Sequence, residues 1–410
     1  WGDTLSITVK NSMQDNGTSI HWHGIRQLGS NTADGVNGIT ECPLAPGDTR
    51  TYTFLCTQFG TSWYHSHYSA QYGDGAVGAI IIDGPASSNY DIDLGSYIVN
   101  EWYYPTSYQI NYAASVNLQT GSPPPNADNI LVSGTNKNTA GGGKYGVVTM
   151  TKGKKYRLRL INTSADNFIR VSLDNHNFTV MTADFIPIKP YTTQWVLLAI
   201  GQRYDVVINA NQAPIPSTTF TNQLKTLSVD ITKEQVVTNG ANLVVWGINT
   251  TSINIQWDNP TLSYVASGNT SYPTVYNLIE LPTAGIEVPG TPPIPHPIHL
   301  HGHDFFVLGA GAGTFDPTTY TTTLNFATPP RRDTAIMPGG GWLVIAFNTN
   351  NPGAWLMHCH IAWHVSEGLG VQFLESKSSI PNPGADYTRV CNNWKTYEKT
   401  MAYPKSDSGL

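Results

Sequence analysis

Histidines arranged as His-x-His pairs are the feature of this sequence most directly connected with chemistry. The chain contains twelve histidines in 410 residues, a density at which well under one such pair is expected by chance. Five pairs occur, in four short clusters that begin at His21, His65, His296 and His358. On a β-strand, residues i and i+2 face the same side, about 6–7 Å apart. One isolated pair would be interpreted as two structural histidines, but four clusters favour metal binding.

The fourth cluster, His-Cys-His-Ile-Ala-Trp-His, adds a thiol to the imidazoles. If it begins on a strand, Cys359 faces one side while its neighbours His358 and His360 face the other. The thiolate can then bind one metal while the two histidines bind a second centre, and a turn can return His364 to the cysteine side. One cysteine and two histidines form the ligand set of a blue-copper electron-transfer site. His296, in Pro-His-Pro, is the best candidate for the remaining histidine.

Zinc is the main alternative metal for these clusters. Structural zinc usually has four tight ligands, often supplied by pairs of cysteines. The chain has no Cys-x-x-Cys sequence, and its clustered histidines are too many for a single zinc ion. Imidazole-rich sites also suit copper, so copper is the preferred metal.

The segments that must position these ligands are short and separated by glycine and proline. Charged residues are only 12% of the chain, whereas there are 38 glycines and 27 prolines, which favours strands joined by turns. The pattern predicts an all-β chain of sandwich domains, at 1–86, 87–222 and 223–410, with one short helix at Ile361–Ser366. The predicted strands are Thr4–Val9, Arg50–Leu55, Gly78–Ile82, Lys154–Ile161, Ile169–Leu173, Asp205–Asn209, Asn242–Trp246 and Trp342–Phe347.

The charge and hydropathy of the chain argue against several classes of function. The net charge is −6, the pI is about 6.0 and basic runs are absent, so binding to nucleic acid or to an anionic membrane is not expected. No apolar stretch reaches the length of a membrane span. The first residues alternate like a strand and lack the form of a signal peptide. Five sequons are compatible with secretion: Asn16, Asn162, Asn177, Asn249 and Asn269.

Four cysteines limit the number of disulfides. With Cys359 assigned to metal, three remain, which allows one disulfide and one spare thiol. Cys42 with Cys391 is the preferred bridge, although the spacing alone does not decide the pairing. Cys56 then has no obvious partner.

The four clusters resemble, in order, the copper motifs of the multicopper oxidases. They are His-Trp-His-Gly at 21–24, Trp-Tyr-His-Ser-His at 63–67, His-Pro-Ile-His-Leu-His-Gly-His at 296–303 and the run at 358–364. Within that family the chain looks most like ascomycete laccases, from Tyr-His-Ser-His-Tyr-Ser-Ala-Gln-Tyr-Gly at 64–73, His-Ile-Ala-Trp-His-Val-Ser at 360–366 and Asp-Ser-Gly-Leu at 407–410. The resemblance implies three cupredoxin-like Greek-key β-sandwich domains in a secreted, monomeric glycoprotein.

The resemblance also implies four copper ions, one of type 1, one of type 2 and two of type 3. The ligands carried over from the family motifs are, for type 1, His296, Cys359 and His364, with Leu369 at a non-coordinating axial position; for type 2, His21 and His299; and for the two type 3 ions, His23, His65 and His360, and His67, His301 and His358.

The activity implied by the resemblance is that of a laccase. A phenol or aromatic amine, as in lignin degradation, gives single electrons to the type 1 copper. Electrons then pass from Cys359 to His358 or His360 and reduce dioxygen to two waters at the other coppers. Leu369 cannot ligate as methionine can, so a high reduction potential is expected. The alternatives are an oxidase of ascorbate, bilirubin or a metal ion, for which Glu367 is the only acid nearby, and a copper-binding cupredoxin-like protein inactivated by shortening.

Two acids are similar to functional residues of laccases. Asp184, in Thr-Ala-Asp-Phe, resembles an acid near the type 1 copper that accepts the phenol proton, although a turn aspartate is the alternative. Asp34, in Ala-Asp-Gly, resembles an acid that relays protons near the other coppers, although Asp-Gly is a common turn. His176 and His303 are expected to be structural. The segment 407–410 resembles the tail that enters the solvent channel in these laccases.

The chain departs from the resemblance by being shorter than laccases of this group. It begins on the strand just before the first copper motif. It lacks a stretch with a cysteine pair between Ala210 and Trp246, and a Trp-rich segment of the substrate pocket around Leu281–Pro293. We therefore expect truncation in the first domain and at the junction of the second and third domains.

Overall fold

The computed structural model describes residues 1–138, 140–146, 148–173, 175–211 and 293–402, together with the backbone of 243–248 and 274–279. Within these residues the chain is built from six β-sheets, and strands far outnumber helices. The sheets occur two by two along the chain, so the prediction of three all-β sandwich domains is confirmed. The predictions about the tail at 407–410, and most of those about Ala210–Trp246 and Leu281–Pro293, lie outside the described residues.

The first domain carries the first two histidine clusters. Its strands are β1 (Thr4–Lys10), β2 (Ile20–His23), β3 (Thr49–Leu55), β4 (Gly60–Ser66) and β5 (Val77–Ile82). One sheet has the order β1-β3 and the other β2-β4-β5. Along β3, buried Arg50, Tyr52 and Phe54 alternate with residues outside the core, as expected of a strand with one face against a core.

The second domain carries no histidine cluster but packs between the other two. Its elements are β6 (Ile92–Trp102), α1 (Ser107–Gln119), β7 (Asn129–Val132), β8 (Lys155–Asn162), β9 (Phe168–Leu173), β10 (Phe178–Ala183), β11 (Ile186–Thr193), β12 (Trp195–Leu198), β13 (Arg203–Asn209) and β14 (Leu243–Ile248). A six-stranded sheet has the order β11-β10-β13-β8-β6-β7, and a three-stranded sheet has the order β12-β9-β14. Strands β6 and β8 are parallel.

The predicted boundary between 222 and 223 is wrong. Strand β14 pairs with β9 of the second domain, from Leu243 opposite Leu173 to Ile248 opposite Phe168. The second domain therefore continues beyond 222, to at least 248. A loop-like composition marked a break in the chain, but it could not show to which sheet the next strand returns. The predicted boundary at 86/87 falls between β5 and β6.

The third domain carries the other two histidine clusters. Its elements are β15 (Thr274–Ile279), β16 (His296–Leu300), β17 (Phe305–Ala312), α2 (Pro317–Tyr320), β18 (Arg331–Arg332), β19 (Thr334–Met337), β20 (Gly341–Phe347), β21 (Gly353–Cys359), α3 (Ala362–Ser366), β22 (Gly370–Glu375) and α4 (Gly384–Glu398). Its two sheets have the orders β15-β20-β17-β18 and β19-β16-β21-β22. The predicted helix at Ile361–Ser366 is confirmed as α3.

Two longer helices were not predicted. Helix α1 begins with a capping box between Thr106 and Gln109. Helix α4 buries only Val390 and Cys391, so its sequence lacks a strong apolar period. Cys391 forms a disulfide with Cys42 of the first domain, which confirms the preferred pairing. None of the described helices is long and apolar enough to span a membrane.

The predicted sequons lie in different environments. Asn162 is fully buried, and its side-chain amide donates to the carbonyls of Asn167 and Leu198. A glycan at Asn162 is therefore incompatible with the folded structure. Asn177 is exposed and Asn16 is half-buried. Asn249 and Asn269 lie outside the described residues.

Candidate metal centres

Strand register pairs the four histidine clusters two by two, the first with the second and the third with the fourth. Strands β2 and β4 are antiparallel, with His21 directly opposite His65. Strands β16 and β21 are also antiparallel, with His299 opposite His358 and Ile298 opposite Cys359. Because neighbouring residues on a strand face opposite sides, this register directs Cys359 and His358 into different spaces.

The first space contains a thiol and two imidazoles, which we call the thiolate cluster (His296, Cys359 and His364). The Sγ of Cys359 lies 3.6 Å from Nδ1 of His296 and 3.5 Å from Nδ1 of His364. The two imidazole Nδ1 atoms are 3.2 Å apart. All three residues are buried, so three candidate ligand atoms converge on one dry point. Leu369 is next to this cluster: its N–H donates to the His364 carbonyl, and its own carbonyl accepts the Cys359 N–H.

The second space contains what we call the eight-histidine cluster. Its members share deep burial and come equally from the first and third domains: His21, His23, His65, His67, His299, His301, His358 and His360. Three overlapping groups of three have their ring nitrogens within 4.8 Å of one another: His21, His299 and His301; His21, His23 and His65; and His67, His301 and His358. Nε2 of His360 is 3.3 Å from Nδ1 of His23.

Hydrogen bonds fix which ring nitrogen of these histidines faces the cluster. Nδ1 is bonded to a backbone carbonyl in four of them: His21 to Asp34, His65 to Ser66, His299 to Asp333 and His358 to Cys359, at 2.8–2.9 Å. A carbonyl only accepts, so Nδ1 is the protonated nitrogen and Nε2 keeps a lone pair. Among the described residues, Nε2 of His21, His65 and His299 is buried without a hydrogen-bond partner. Unpartnered lone pairs directed into one space are what a metal ion requires.

The contact between His301 and His358 is a sharper test of metal binding. Their Nε2 atoms are 3.1 Å apart. Nδ1 of His301 is bonded to the Asp34 carboxylate at 2.9 Å, and Nδ1 of His358 to the Cys359 carbonyl. Since each Nδ1 carries its proton, two lone pairs face each other, and only a cation makes this arrangement favourable.

The protonation states of the buried groups agree with metal binding. Burial, followed by the neighbouring His21, lowers the pKa of His65 and of His299 well below the usual range. Burial lowers the pKa of His358 to about 4. Neutral imidazole is the form that binds metals. Burial also raises the pKa of the Cys359 thiol, so its thiolate needs a bound cation at this position.

Asp34 lies where it was predicted, beside the histidines. It is fully buried and touches two of them, because its carboxylate binds Nδ1 of His301 and its carbonyl binds Nδ1 of His21. One residue therefore orients two rings, one from each of two domains. His303, predicted to be structural, has Nε2 3.0 Å from the Glu375 carboxylate.

Asp184 does not fit its predicted role as a phenol base. It is fully buried, and its carboxylate binds the Arg332 guanidinium twice and the backbone N–H groups of Arg203 and Asp333. Although burial opposes it, the charges of Arg332 and Arg203 lower the pKa of Asp184, which makes it a weak base. It adjoins Thr334, whose hydroxyl lies at the eight-histidine cluster, rather than the thiolate cluster.

A different acid, Asp166, lies near the thiolate cluster. Its neighbour Ala165 accepts a hydrogen bond from Ala362, and the Trp363 indole lies beside the Asp166 carboxyl. Burial and the nearby Glu101 raise the pKa of Asp166 to about 7. Sequence inspection missed it because Ala-Asp-Asn reads as a turn, and only folding brings this turn against the residue before His364.

Three family models, each described as multicopper oxidase, match residues 1–87, 95–245 and 249–379. The chain belongs to the multicopper oxidase family. It is 48% identical to laccase-3 of Botryotinia fuckeliana, over 91% of this chain and 98% of that protein. It is 42% identical to laccase-1 of Melanocarpus albomyces, over 100% of this chain and 78% of that protein. Copper is therefore its cofactor.

The solved structures agree with this assignment. The laccase of Botrytis aclada has a TM-score of 0.78 and 36% identity, and the match covers 100% of this chain and 88% of that chain. The multicopper oxidase Fet3p, at 22% identity and a TM-score of 0.70, shares the fold. The predictions of a three-domain cupredoxin-like fold and of a laccase-like multicopper oxidase are confirmed, and the alternative functions are not favoured.

Proposed function

We propose that this oxidase takes single electrons from phenols and aromatic amines and reduces dioxygen to two waters, with four coppers held by the residues described above. The observation that supports it best is the position of Cys359. Its thiol contacts His296 and His364, while its sequence neighbours His358 and His360 belong to the eight-histidine cluster. The backbone thus joins the two ligand sets covalently through adjacent residues.

The ligand groups support a definite division of the coppers. The thiolate cluster suits a type 1 copper, with Leu369 at the axial position. In the eight-histidine cluster, we carry over the division from the motifs: His21 and His299 for type 2; His23, His65 and His360 for one type 3 ion; and His67, His301 and His358 for the other. The last set coincides with one of the groups of converging nitrogens, and the contact between His23 and His360 supports the second set. When bound, copper supplies the one-electron oxidation of the substrate and the reduction of dioxygen.

The protein's own residues prepare the space for dioxygen. A small cavity lies against the eight-histidine cluster, between His65 and His67 on one side and His358 and His360 on the other. Tyr72 and Val365 complete its wall, with Ser66 and Ser69. A partly apolar pocket beside the ligands is suited to a small uncharged molecule. Asp34, bonded to His301 of the same cluster, is the acid we assign to relay protons there.

On the substrate side, Asp166 is the residue we assign to accept the phenol proton. Removal of the proton makes a phenol easier to oxidise, and a base works best when its pKa lies near the working pH. The pKa of Asp166 is raised to about 7 by burial and by Glu101. Glu101 accepts backbone N–H bonds from Ala165, Asp166 and Asn167, and these bonds favour its charged form against the burial that raises its own pKa.

The resemblance to fungal laccases also supports secretion, and phenols released from lignin are natural candidate substrates. The protein is expected to be a monomer with a glycan at exposed Asn177 or at Asn16. Mass spectrometry of the secreted protein before and after glycosidase treatment tests the glycans.

One purification tests the proposed function. The protein expressed with copper should contain four coppers per chain, show an intense blue thiolate-to-copper absorption and consume oxygen when a simple phenol is added. Fewer than three coppers per chain without a blue band would sink the proposal. A blue protein with four coppers and no oxygen uptake would retain the sites but reject the substrate class.

A further inference from the structure

Arg203 lies at the point where the three domains meet. It is fully buried, and its Nε donates to the carbonyl of Thr61 in the first domain at 3.2 Å. Nη1 donates to the carbonyl of Gly201 in its own domain at 3.0 Å. Nη1 and Nη2 donate to the two oxygens of Asp333 in the third domain, each at 2.7 Å. One planar guanidinium therefore connects all three domains.

Asp333, in turn, contacts two histidines of the eight-histidine cluster. Its backbone carbonyl accepts a hydrogen bond from Nδ1 of His299, and its Oδ1 lies 3.3 Å from Nε2 of His23. The hydroxyl of Thr334 donates to the same carboxylate at 3.0 Å and lies 3.2 Å from His299 and 3.3 Å from His23. Thus Asp333 orients one ring from the first domain and one from the third.

The backbone around this pair has no spare space. A Cβ atom at Gly24, directly after His23, would lie 2.5 Å from Oδ2 of Asp333 and 2.6 Å from Nη2 of Arg203. A Cβ atom at Gly201 would lie 2.9 Å from the ring of His23. Both glycines have positive φ, at 77° and 83°. The ion pair therefore packs directly on the backbone that carries His23, so its position and that of the ring are coupled.

We propose that Arg203 is a positioning residue for the eight-histidine cluster: by clamping Asp333, it holds His299 and His23 in their ligating orientations across the domain junction. The proposal rests on the proposed function, because it assigns these histidines to copper. Residues that orient metal ligands typically change metal affinity by about 10–100-fold when they are replaced. The contacts of Arg203 and Asp333 described above lead to His299 and His23 of the eight-histidine cluster, so the effect should be concentrated at that centre.

The variant Arg203→Lys tests the proposal, because lysine keeps the charge but cannot make the paired bond to Asp333 and the bond to Thr61 together. We expect copper affinity at the eight-histidine cluster to fall by about 10–100-fold. The readouts are copper per chain after dialysis against a graded chelator, the electron paramagnetic resonance signal of type 2 copper and the blue absorbance. The blue absorbance per chain should be unchanged while the type 2 signal is lost.

Arg157→Lys is the matched control, since Arg157 is a buried arginine of the same sheet, ion-paired with Asp205. It should keep both signals. If Arg203→Lys does not fold, Asp333→Asn replaces it, and its type 2 spectrum should change while the blue band remains.

Unchanged copper affinity and an unchanged type 2 signal in Arg203→Lys would overturn the positioning role. Equal loss of both signals, or a loss matched by Arg157→Lys, would overturn it too, because the role would then be general stability. Failure of the proposed function is separate, since it would appear in the unsubstituted protein as missing copper and a missing blue band.

Discussion

The thiolate cluster and the eight-histidine cluster share one strand, yet they depend on the fold in different ways. All members of the thiolate cluster come from the third domain, where Cys359 is the cross-strand neighbour of Ile298 and His364 follows on α3. The eight-histidine cluster takes half of its residues from the first domain, and Arg203 of the second domain connects the two halves. The first centre is set by local register, whereas the second also requires correct docking of three domains.

Because of this difference, substitutions should fall into two classes according to which of the two centres they affect. A change that loosens the domain junction should empty the eight-histidine cluster while the blue site remains. A change inside the third domain can remove the blue site and leave the other intact. The two centres can thus be perturbed independently, although adjacent residues connect them.

The largest effect is expected for Cys359→Ser. Serine removes the thiolate and, with it, the third converging ligand beside His296 and His364. We expect the blue absorption and phenol oxidation to fall to background, while the eight-histidine cluster still binds copper. Absorbance, oxygen uptake and copper per chain measure this. Retained turnover would refute a path through Cys359, and loss of all copper would refute the independence of the two centres.

The next effect is expected from replacing both Cys42 and Cys391 by serine. The disulfide holds α4 of the third domain against the first domain across 349 residues of chain. Removing it should lower the free energy of unfolding by about 2–5 kcal/mol. Because the bridge supports docking, the eight-histidine cluster should lose copper at lower urea than the blue site does.

Cys56→Ser is the control for this experiment, since Cys56 is buried but forms no disulfide. Simultaneous loss of both copper signals in the doubly substituted protein would show that the domains unfold as one unit. That result would remove the contrast drawn between the two centres.

The same contrast explains what the sequence could predict. Strands such as Thr4–Val9 and Trp342–Phe347 were found within a residue or two, because alternation and glycine or proline breaks are local properties. The histidines and the cysteine that converge in the two clusters could be picked out because motifs on single strands carry them. Asp34 was placed correctly beside the cluster through a short motif.

Features that depend on packing between domains were missed or misassigned. Asp184 was predicted to accept the phenol proton near the type 1 copper, but folding buries it against Arg332, which is far away in sequence. Asp166 gained its raised pKa only from burial and from Glu101. Strand β14 was assigned to the wrong domain because its partner, β9, lies about 75 residues earlier, a separation that no local pattern encodes.

A smaller effect is expected for Asp166→Asn. As a base, Asp166 must be a carboxylate, so phenol turnover in the unsubstituted protein should rise with pH and level off above about 7. Asparagine should lower kcat for a phenol by about 100-fold and remove this rise. Ferrocyanide, which gives an electron without losing a proton, is the matched substrate and should be oxidised at an unchanged rate. Equal losses with both donors would mean that Asp166 only supports the fold.

The same substitution should alter how stability depends on pH. The pKa of Asp166 is raised from 3.8 to about 7, mainly by burial, so the native state binds a proton that the unfolded state has released. Its contribution to stability is therefore present below pH 4 and is lost as the pH rises to about 7. Urea unfolding at several pH values should show a shallower decline in this window for Asp166→Asn. An unchanged slope would mean that the proton resides on another group.

The smallest effect is expected for Leu369→Met, which tests the thiolate cluster without disturbing the junction. Leu369 is 9% exposed, and its backbone pairs with both Cys359 and His364, so we propose that its side chain would stand at the axial position of a copper held by the thiolate cluster. Methionine offers a sulfur where leucine offers none, and a stronger axial ligand lowers the reduction potential. Phenol oxidation should slow severalfold, and redox titration of the blue band should show the lower potential. Leu369→Ile, which adds no ligand, should leave the potential unchanged. An equal shift in both variants would mean that packing, rather than ligation, sets the potential. Copper content at the eight-histidine cluster should stay constant in both variants, because residues at the domain junction position that centre.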